Sequence, residues 1–382
     1  MALDIVLACF LPLLIAFLTY KLSPSLTWED IRSLLSLNPL SNPPFSPENA
    51  YHSYRRYRQL SGDHLSRMQH AYGTVSRRHK RLGYDLGYPA KLRKLQETTK
   101  VNALVTDGIA RLAEEEFEVK DERWLPTMNS GNLSRVRESL KHFIRDWSFD
   151  GKTERDRIFL PILQVLELVN VEERPGKKVL VPGSGLGRLA WEISQLGFET
   201  TANELSFFMN LAFRFLLSSK TTTSVDQHTL HPYAYWFSHQ KSNDALFRAI
   251  RFPDVVPRLT RGLQLLECDF LAISPAQSYD YVVTLFFIDT STNILATLEH
   301  IHSLLCPGGL WINLGPLLWC SGSQARLEFS LDEVFAAARA IGFKFVKDTE
   351  CMTPRTVPCE YTHDAKAMMR WIYQAEFWVA RK

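Results

Sequence analysis

The sequence predicts an α/β fold in which a mostly parallel, doubly wound sheet is covered by helices on both faces. Short apolar strands alternate with helices after residue 177, and such strands have no polar face to present to water. Residues 343–350 and 375–382 follow a helix and predict an antiparallel pair at the end of this sheet. Helical periodicity upstream predicts an N-terminal helical extension to the fold.

The composition is that of a folded globular protein and excludes collagen-like and wholly disordered chains. Of 382 residues, 46% are apolar and 22% are charged. The net charge of +3 is too small for a nucleic-acid-binding field over the whole surface, so no specific nucleic-acid partner is expected. Six cysteines without a C-x-x-C pair disfavour a zinc site and a disulfide framework. We therefore expect reduced thiols in the cytoplasm and no bound metal.

Residues 5–20 carry no charge and resemble a membrane segment. At about 1.5 Å per residue, a helix of this length falls slightly short of a hydrocarbon core of roughly 30 Å. Lys21 and Arg32 favour a cytoplasmic position for the downstream chain. The sequence predicts a short membrane anchor attached to a cytoplasmic catalytic domain, with a signal peptide and a helix buried in its own domain as the alternatives.

The chain divides at changes in composition. Proline-rich sequence predicts a linker, and the basic stretch over residues 51–94 that follows it is interleaved with tyrosines. Tyr51, Tyr54 and Tyr57 have helical spacing, so the stretch either binds a polyanion or forms amphipathic helices with a packed tyrosine stripe. The predicted parts are an anchor over 1–22, a linker over 23–50, a helical region over 51–170 and a catalytic domain over 171–382 with an insertion at about 219–260.

A glycine loop connects the first predicted strand, residues 179–181, to the following helix. Gly183, Gly185 and Gly187 permit a tight turn and let a ligand approach backbone N–H groups at a helix N-terminus. The third small residue of a dinucleotide fingerprint is replaced by Arg188, which disfavours NAD and FAD. The absence of a following Lys-Ser/Thr pair excludes a P-loop.

Two further strand ends carry groups suited to a nucleoside. Glu204 follows the second strand, where a carboxylate can accept hydrogen bonds from both ribose hydroxyls. Asp269 and Phe270 follow a later strand and offer a carboxylate for an adenine amino group and an aromatic edge for its ring. Together with the glycine loop, they predict an S-adenosylmethionine-dependent methyltransferase. Arg188 is then either a partner of the methionine carboxylate or a first-turn helix residue without a function.

A specific resemblance accompanies this pattern. The segments VPGSGLGRLAWEI, NELSFFMN, YDYVVTLFFIDT and CPGGLWINLGPLLW, with RDWS and GKTERD upstream, resemble the carnosine N-methyltransferase family. The similarity spans about residues 51–382. It implies a class I, Rossmann-like methyltransferase fold with S-adenosylmethionine as the cofactor. It also implies a small histidine-containing peptide as the substrate, methylated on an imidazole nitrogen as in the conversion of carnosine to anserine.

The resemblance also implies site residues. The cofactor positions of the family correspond to Arg145, Gly183, Glu204, Asp269 and Phe270, and the acceptor positions correspond to Asp289, Tyr361 and Tyr373. A family glutamine is replaced by His142, and a family histidine of the acceptor pocket is replaced by Cys320. Because Cys320 alters the acceptor pocket, a protein histidine or another small amine is the alternative acceptor.

We hypothesise that Asp289 accepts a hydrogen bond from one imidazole N–H, so that the other nitrogen faces the methyl group, while Tyr361 and Tyr373 hold the ring. The structural alternatives are a helix N-cap for Asp289 and ordinary packing for the tyrosines. A different class of protein, a non-catalytic nucleic-acid or membrane scaffold on a methyltransferase fold, is the remaining functional alternative.

Overall fold

The computed structural model describes residues 44–117, 130–319 and 325–382. The helices are α1 (Pro47–Arg55), α2 (Tyr57–Thr74), α3 (Arg77–Asp85), α4 (Tyr88–Phe117), α5 (Ser130–Trp147), α6 (Lys152–Glu167), α7 (Arg188–Gln195), α8 (Phe207–Leu217), α9 (Asn243–Leu246), α10 (Ile294–Leu304) and α11 (Leu331–Ile341). The strands are β1 (Lys178–Pro182), β2 (Glu199–Asn203), β3 (His228–Leu230), β4 (Ile250–Phe252), β5 (Leu263–Leu266), β6 (Tyr279–Leu285), β7 (Leu305–Gly315), β8 (Lys344–Phe345), β9 (Arg355–Cys359) and β10 (Tyr373–Arg381).

The main sheet has the strand order β5-β2-β1-β6-β7-β10-β8, and β9 also pairs with β10. The five strands from β5 to β7 are mutually parallel, whereas β10 runs antiparallel to β7, β8 and β9. This arrangement confirms the predicted mostly parallel sheet with an antiparallel end. The strands β3 and β4 form a separate antiparallel pair.

Both faces of the sheet are buried because its strands are apolar on both sides. In β1, Val179 and Val181 belong to a core that includes residues of α1, α4, α5 and α6, while Leu180 belongs to the core under α10 and α11. The same alternation occurs in β6, where Val283 and Val282 point to opposite cores. The N-terminal helices therefore cover one face of the sheet and share its hydrophobic core.

The tyrosine stripe of α1 and α2 lies in that core. Tyr51, Tyr54 and Tyr57 are no more than 2% exposed, and the Tyr54 hydroxyl donates to the Phe208 carbonyl oxygen of α8 at 2.5 Å. This confirms the amphipathic-helix interpretation of the basic stretch. Helix α1 begins inside the predicted linker, because the Ser46 side chain accepts the Asn49 N–H and a proline starts the first turn.

The end of the sheet differs from the prediction in two respects. The strand expected over residues 343–350 is limited to Lys344–Phe345, and a 3-10 turn occupies Glu350–Met352. The strand β9 was not predicted, because it has only five residues and contains Pro358, which is tolerated at the edge of a sheet. It pairs with the first half of β10.

The predicted membrane-anchored localisation is corrected by the structure. Across the three described ranges, no helix combines the length and the apolar character needed to cross a membrane. Residues 5–20, from which that prediction was made, lie outside the described residues, as does Cys320.

Candidate active site

The glycine loop leaves β1 at Pro182 and enters α7 at Arg188. Gly183, Gly185 and Gly187 have φ angles of 63°, 55° and 69°, a left-handed conformation that L side chains rarely adopt. A Cβ at Gly187 would lie 2.2 Å from the Phe213 ring, so close packing also requires glycine there. A Cβ at Gly185 would meet no atom within 4 Å. The space beside Gly185 is therefore open for a ligand that approaches the backbone.

Glu204 lies directly beneath this loop. Its two carboxylate oxygens accept the Gly185 N–H at 2.9 Å and the Ser206 N–H at 2.8 Å. Burial raises the pKa of Glu204, and the backbone donors oppose that shift. Each oxygen retains lone pairs for a further hydrogen bond, so the carboxylate can hold the loop and a ligand hydroxyl together.

The third strand end is adjacent to the second. Asn203 donates from its side-chain amide to the carbonyl oxygens of Leu266 and Cys268, both at 2.9 Å, which ties the ends of β2 and β5. Asp269 accepts the Leu271 N–H at 2.9 Å, and Phe270 is only 6% exposed. The sheet order thus brings the three predicted strand ends side by side, as expected from the sequence.

A buried ion pair lines the cavity beside the glycine loop. The Arg145 guanidinium donates to both carboxylate oxygens of Asp146 at 2.6 and 3.0 Å. Its Cζ lies 4.4 Å from the centroid of the Tyr361 ring. Burial opposes the charge of Asp146, but Arg145 and His142 together outweigh it and hold the pKa of this carboxyl well below its usual range. Arg145, Asp146, Gly183, Gly185, Arg188 and Tyr361 are among the residues that line this cavity.

Asp254, at the end of the insertion, connects two arginines. Its carboxylate accepts from Arg155 at 2.5 Å and from Arg188 at 2.6 Å. Arg188 also donates to Glu192 at 2.7 Å and to the Asp146 carbonyl oxygen at 3.1 Å. The first turn of α7 is thereby fixed against the end of α5.

Asp289 lies in a 3-10 turn, Ile288–Thr290, beyond the carboxyl end of β6. Its side chain accepts the Leu318 N–H at 3.0 Å, and burial raises its pKa to about 6. The helix α10 is capped by Asn293, whose side chain accepts the Ala296 N–H, so the N-cap alternative for Asp289 is wrong. A buried carboxyl with this pKa is ionised at neutral pH and is available to accept a proton or a hydrogen bond.

The two predicted acceptor tyrosines meet at Phe286. The Phe286 ring centroid lies 4.7 Å from that of Tyr361 and 5.6 Å from that of Tyr373. His142 packs edge-on against Tyr361 at 5.6 Å. Burial raises the pKa of Tyr373, and the charge of Asp289 adds to the increase. The cavity of the glycine loop is lined by Phe286 as well.

Three residues of this site were missed in the sequence. Asp146 lies inside the RDWS segment, but only the structure shows that it holds Arg145. Asp254 lies in the insertion and pairs with Arg155 and Arg188, which are 99 and 66 residues earlier in the chain. No local sequence pattern indicates these pairs. Phe286 has a φ of 50°, which is unusual for a bulky residue, and its N–H donates to the Leu314 carbonyl oxygen at 2.9 Å.

Comparison with known proteins identifies similar sequences over most of the chain. The sequence model of the carnosine N-methyltransferase family matches residues 122–382. Carnosine N-methyltransferase of Rattus norvegicus is 34% identical over 310 residues, which cover 77% of this chain and 76% of that protein. The enzyme of the same name from Schizosaccharomyces pombe is 31% identical over 352 residues, covering 85% of this chain and 92% of that protein.

Among solved structures, magnesium protoporphyrin IX methyltransferase from Synechocystis with bound SAH is similar over 68% of this chain and 90% of that chain. The sequence identity is 12% and the TM-score is 0.34.

We predict that Asp254→Ala lowers the free energy of unfolding by about 3 kcal/mol, because it leaves two buried guanidinium groups without their shared carboxylate. Urea unfolding followed by circular dichroism measures the change. Lys152→Met, which removes the exposed ion pair between Lys152 and Asp156, is the control and is expected to cost less than about 1 kcal/mol. Equal effects of the two substitutions would contradict the role assigned to Asp254.

Proposed function

This chain belongs to the carnosine N-methyltransferase family, and we propose that it transfers a methyl group from S-adenosylmethionine to an imidazole nitrogen of a small histidine-containing peptide, with carnosine as the acceptor and anserine as the product. One observation carries the proposal. The glycine loop and Tyr361, one of the residues expected to bind the acceptor, line the same cavity, as does Phe286, whose ring also contacts Tyr373. Donor and acceptor can therefore meet at a common wall.

The residues at the three strand ends fit the donor. When bound, S-adenosylmethionine supplies an electrophilic methyl group on a sulfonium. Gly185 leaves open space for it, and Glu204 has lone pairs free for the ribose hydroxyls. Asp269 and Phe270 take the adenine, and Gly183 and Gly187 shape the loop. We assign binding of the methionine part of S-adenosylmethionine to Arg145.

Arg188 has a different role in this proposal. Its Nε and Nη1 already donate to Glu192, Asp254 and the Asp146 carbonyl oxygen, although its side chain lines the same cavity. The satisfied donors favour a residue that positions the glycine loop over one that binds the methionine carboxylate. This role differs from both interpretations open from the sequence, a partner of the methionine carboxylate and a first-turn residue without a function.

The acceptor imidazole attacks through the ring nitrogen that carries no hydrogen. Imidazole has a pKa of about 6.5, so most of it is neutral and nucleophilic at pH 7. Asp289 accepts a hydrogen bond from the other ring nitrogen, which selects the tautomer and stabilises the positive charge that develops on the ring. Tyr361 and Tyr373 fix the plane of the ring, and Phe286 supports both of them. Such alignment is worth about 7–11 kcal/mol in favourable cases.

Methyl transfer tests the proposal directly. We expect labelled methyl from S-adenosylmethionine to enter carnosine, with slower labelling of free histidine. Chromatography of the products, with anserine as the standard, measures the reaction. Label that enters only the protein fraction of a cell extract would contradict the proposal and favour a protein-histidine methyltransferase.

We predict that Asp289→Asn retains donor binding and lowers the turnover of carnosine about 100- to 10,000-fold, the range typical of a lost acid–base or hydrogen-bonding group. Since burial raises the pKa of Asp289 to about 6, its carboxylate becomes protonated as the pH falls through that value. The acceptor imidazole is protonated in the same range. In the wild type, kcat/KM should therefore fall below pH 6 because both the Asp289 carboxylate and the acceptor imidazole become protonated. In Asp289→Asn, only protonation of the imidazole should lower kcat/KM.

Initial rates between roughly pH 5 and 8 measure this difference, because this range spans the pKa values of Asp289 and of the imidazole. Asp156→Asn, a change at a half-exposed carboxylate that pairs with Lys152, is the matched control and should keep the wild-type profile. An unchanged turnover rate or an unchanged profile in Asp289→Asn would rule out the assignment.

We predict that Gly185→Ala weakens S-adenosylmethionine binding at least tenfold while it lowers stability by only about 1–2 kcal/mol, because its new methyl group points into open space at a left-handed backbone position. Gly187→Ala is the contrasting change, since its methyl group would collide with Phe213 and mainly reduce stability. Calorimetric titration and thermal unfolding separate the two effects. Unaltered donor binding by Gly185→Ala would contradict the proposed donor site.

A further inference from the structure

An aromatic groove leads away from the proposed reaction centre. Tyr361 lines both the cavity of the glycine loop and this groove, so the two spaces share one side chain. The walls of the groove include Tyr235, Trp236 and Trp371, and the two tryptophans are 46% and 69% exposed. The groove is thus placed to take the part of the acceptor that lies beyond the imidazole.

Basic residues of α5 follow the same direction. Arg137, Lys141 and Arg145 are four residues apart and therefore lie on one face of the helix. Arg145 stacks on Tyr361 at 4.4 Å, whereas Arg137 stacks on Tyr235 at 4.3 Å. Lys141 lies between them and lines the groove. Lys141 lies one helical turn from Arg145, about 6 Å along the helix axis. This spacing is similar to the distance between the imidazole of a histidine and the carboxylate on its Cα.

The charges along this face are compensated unequally. Arg145 is neutralised by its two hydrogen bonds to Asp146, and Lys141 is 3.4 Å from Glu138. Glu138 also accepts from the Thr362 hydroxyl at 3.3 Å, so this carboxylate serves two partners. Asp364 also lines the groove, but its carboxylate is already paired with Arg248 at 2.5 Å.

Arg137 lacks an acidic partner within the described part of the chain. The titratable groups that act on it there are two tyrosines and Arg67, and its buried Nε has no hydrogen-bond partner. Burial lowers the pKa of Arg137, which is the direction expected for a desolvated cation without a carboxylate. An anionic group on the ligand would offset this cost.

We propose that Lys141, supported by the field of Arg137, forms a subsite for the α-carboxylate of a C-terminal histidine in the acceptor, an inference that rests on the proposed function. An ammonium has three donors, so Lys141 keeps one hydrogen for a ligand carboxylate beside its partners Glu138 and Tyr235. The exposed tryptophans of the groove can pack on the rest of the acceptor. This subsite selects free peptides that end in histidine and disfavours histidine inside a protein chain, where the same position holds an amide.

The test compares two acceptors that differ only in this group, carnosine and β-alanylhistamine, which lacks the carboxylate. Calorimetric titration of the protein loaded with S-adenosylhomocysteine measures both dissociation constants. We expect the wild type to bind carnosine about tenfold more tightly, the effect of one charge-assisted hydrogen bond. Lys141→Met should lose this preference by weakening carnosine alone, and Lys141→Arg should retain it.

Two further variants guard against indirect effects. The double change Glu138→Gln with Lys141→Met leaves no unpaired carboxylate and should behave like Lys141→Met alone. Lys91→Met is the matched control, because Lys91 lies over the Phe237 ring at 4.2 Å and outside the groove lining. It should keep the wild-type preference.

The outcomes separate this inference from the proposed function. A preference for carnosine that persists in Lys141→Met would overturn the subsite, even with normal methyl transfer. A preference that Lys141→Met abolishes, in a protein that methylates neither acceptor, would support the subsite and refute the proposed reaction. Failure of the wild type to bind either compound would overturn both.

Discussion

The shared carboxylate of Asp254 is the constraint on which the site depends. It pairs with Arg155 of α6 and Arg188 of α7, and its own N–H donates to the Trp147 carbonyl oxygen at 2.8 Å. Buried charges are tolerated only when their partners are present, so three distant parts of the chain must meet at this point. The glycine loop, the end of α5 and the insertion consequently take their positions together. The helices α5 and α6 of the N-terminal region therefore help to position the site at the edge of the sheet.

Local signals account for what could be predicted from the sequence. Three glycines between an apolar strand and a helix predict the loop, because the turn needs left-handed residues at those positions. The carboxylates Glu204 and Asp269 follow their strands directly, and parallel strands place such ends at one edge of a sheet. The contact between Arg188 and Asp254 joins residues 66 positions apart and has no such signature. Pairings of this kind are set by tertiary packing.

The basic stretch over residues 51–94 shows why composition alone is ambiguous. Aromatic residues among arginines suit nucleic-acid binding only if the rings are free to stack on bases. Tyr51, Tyr54 and Tyr57 instead lie in the core, and all three use their hydroxyls within the protein. Tyr51 donates to Glu114, Tyr54 donates to the Phe208 carbonyl oxygen, and Tyr57 accepts from Asn102. The arginines of this stretch therefore border a packed helix layer, which argues against the scaffold alternative.

The position of β10 has a consequence for synthesis. This strand follows every other strand of the main sheet in the chain, yet it lies between β7 and β8 and also pairs with β9. Until the ribosome has made residues 373–381, β7 has an unpaired edge and Tyr373 is missing from the acceptor pocket. During synthesis the edge of β7 therefore stays unpaired until the last strand is made. A chaperone that covers this edge would protect the nascent chain from aggregation.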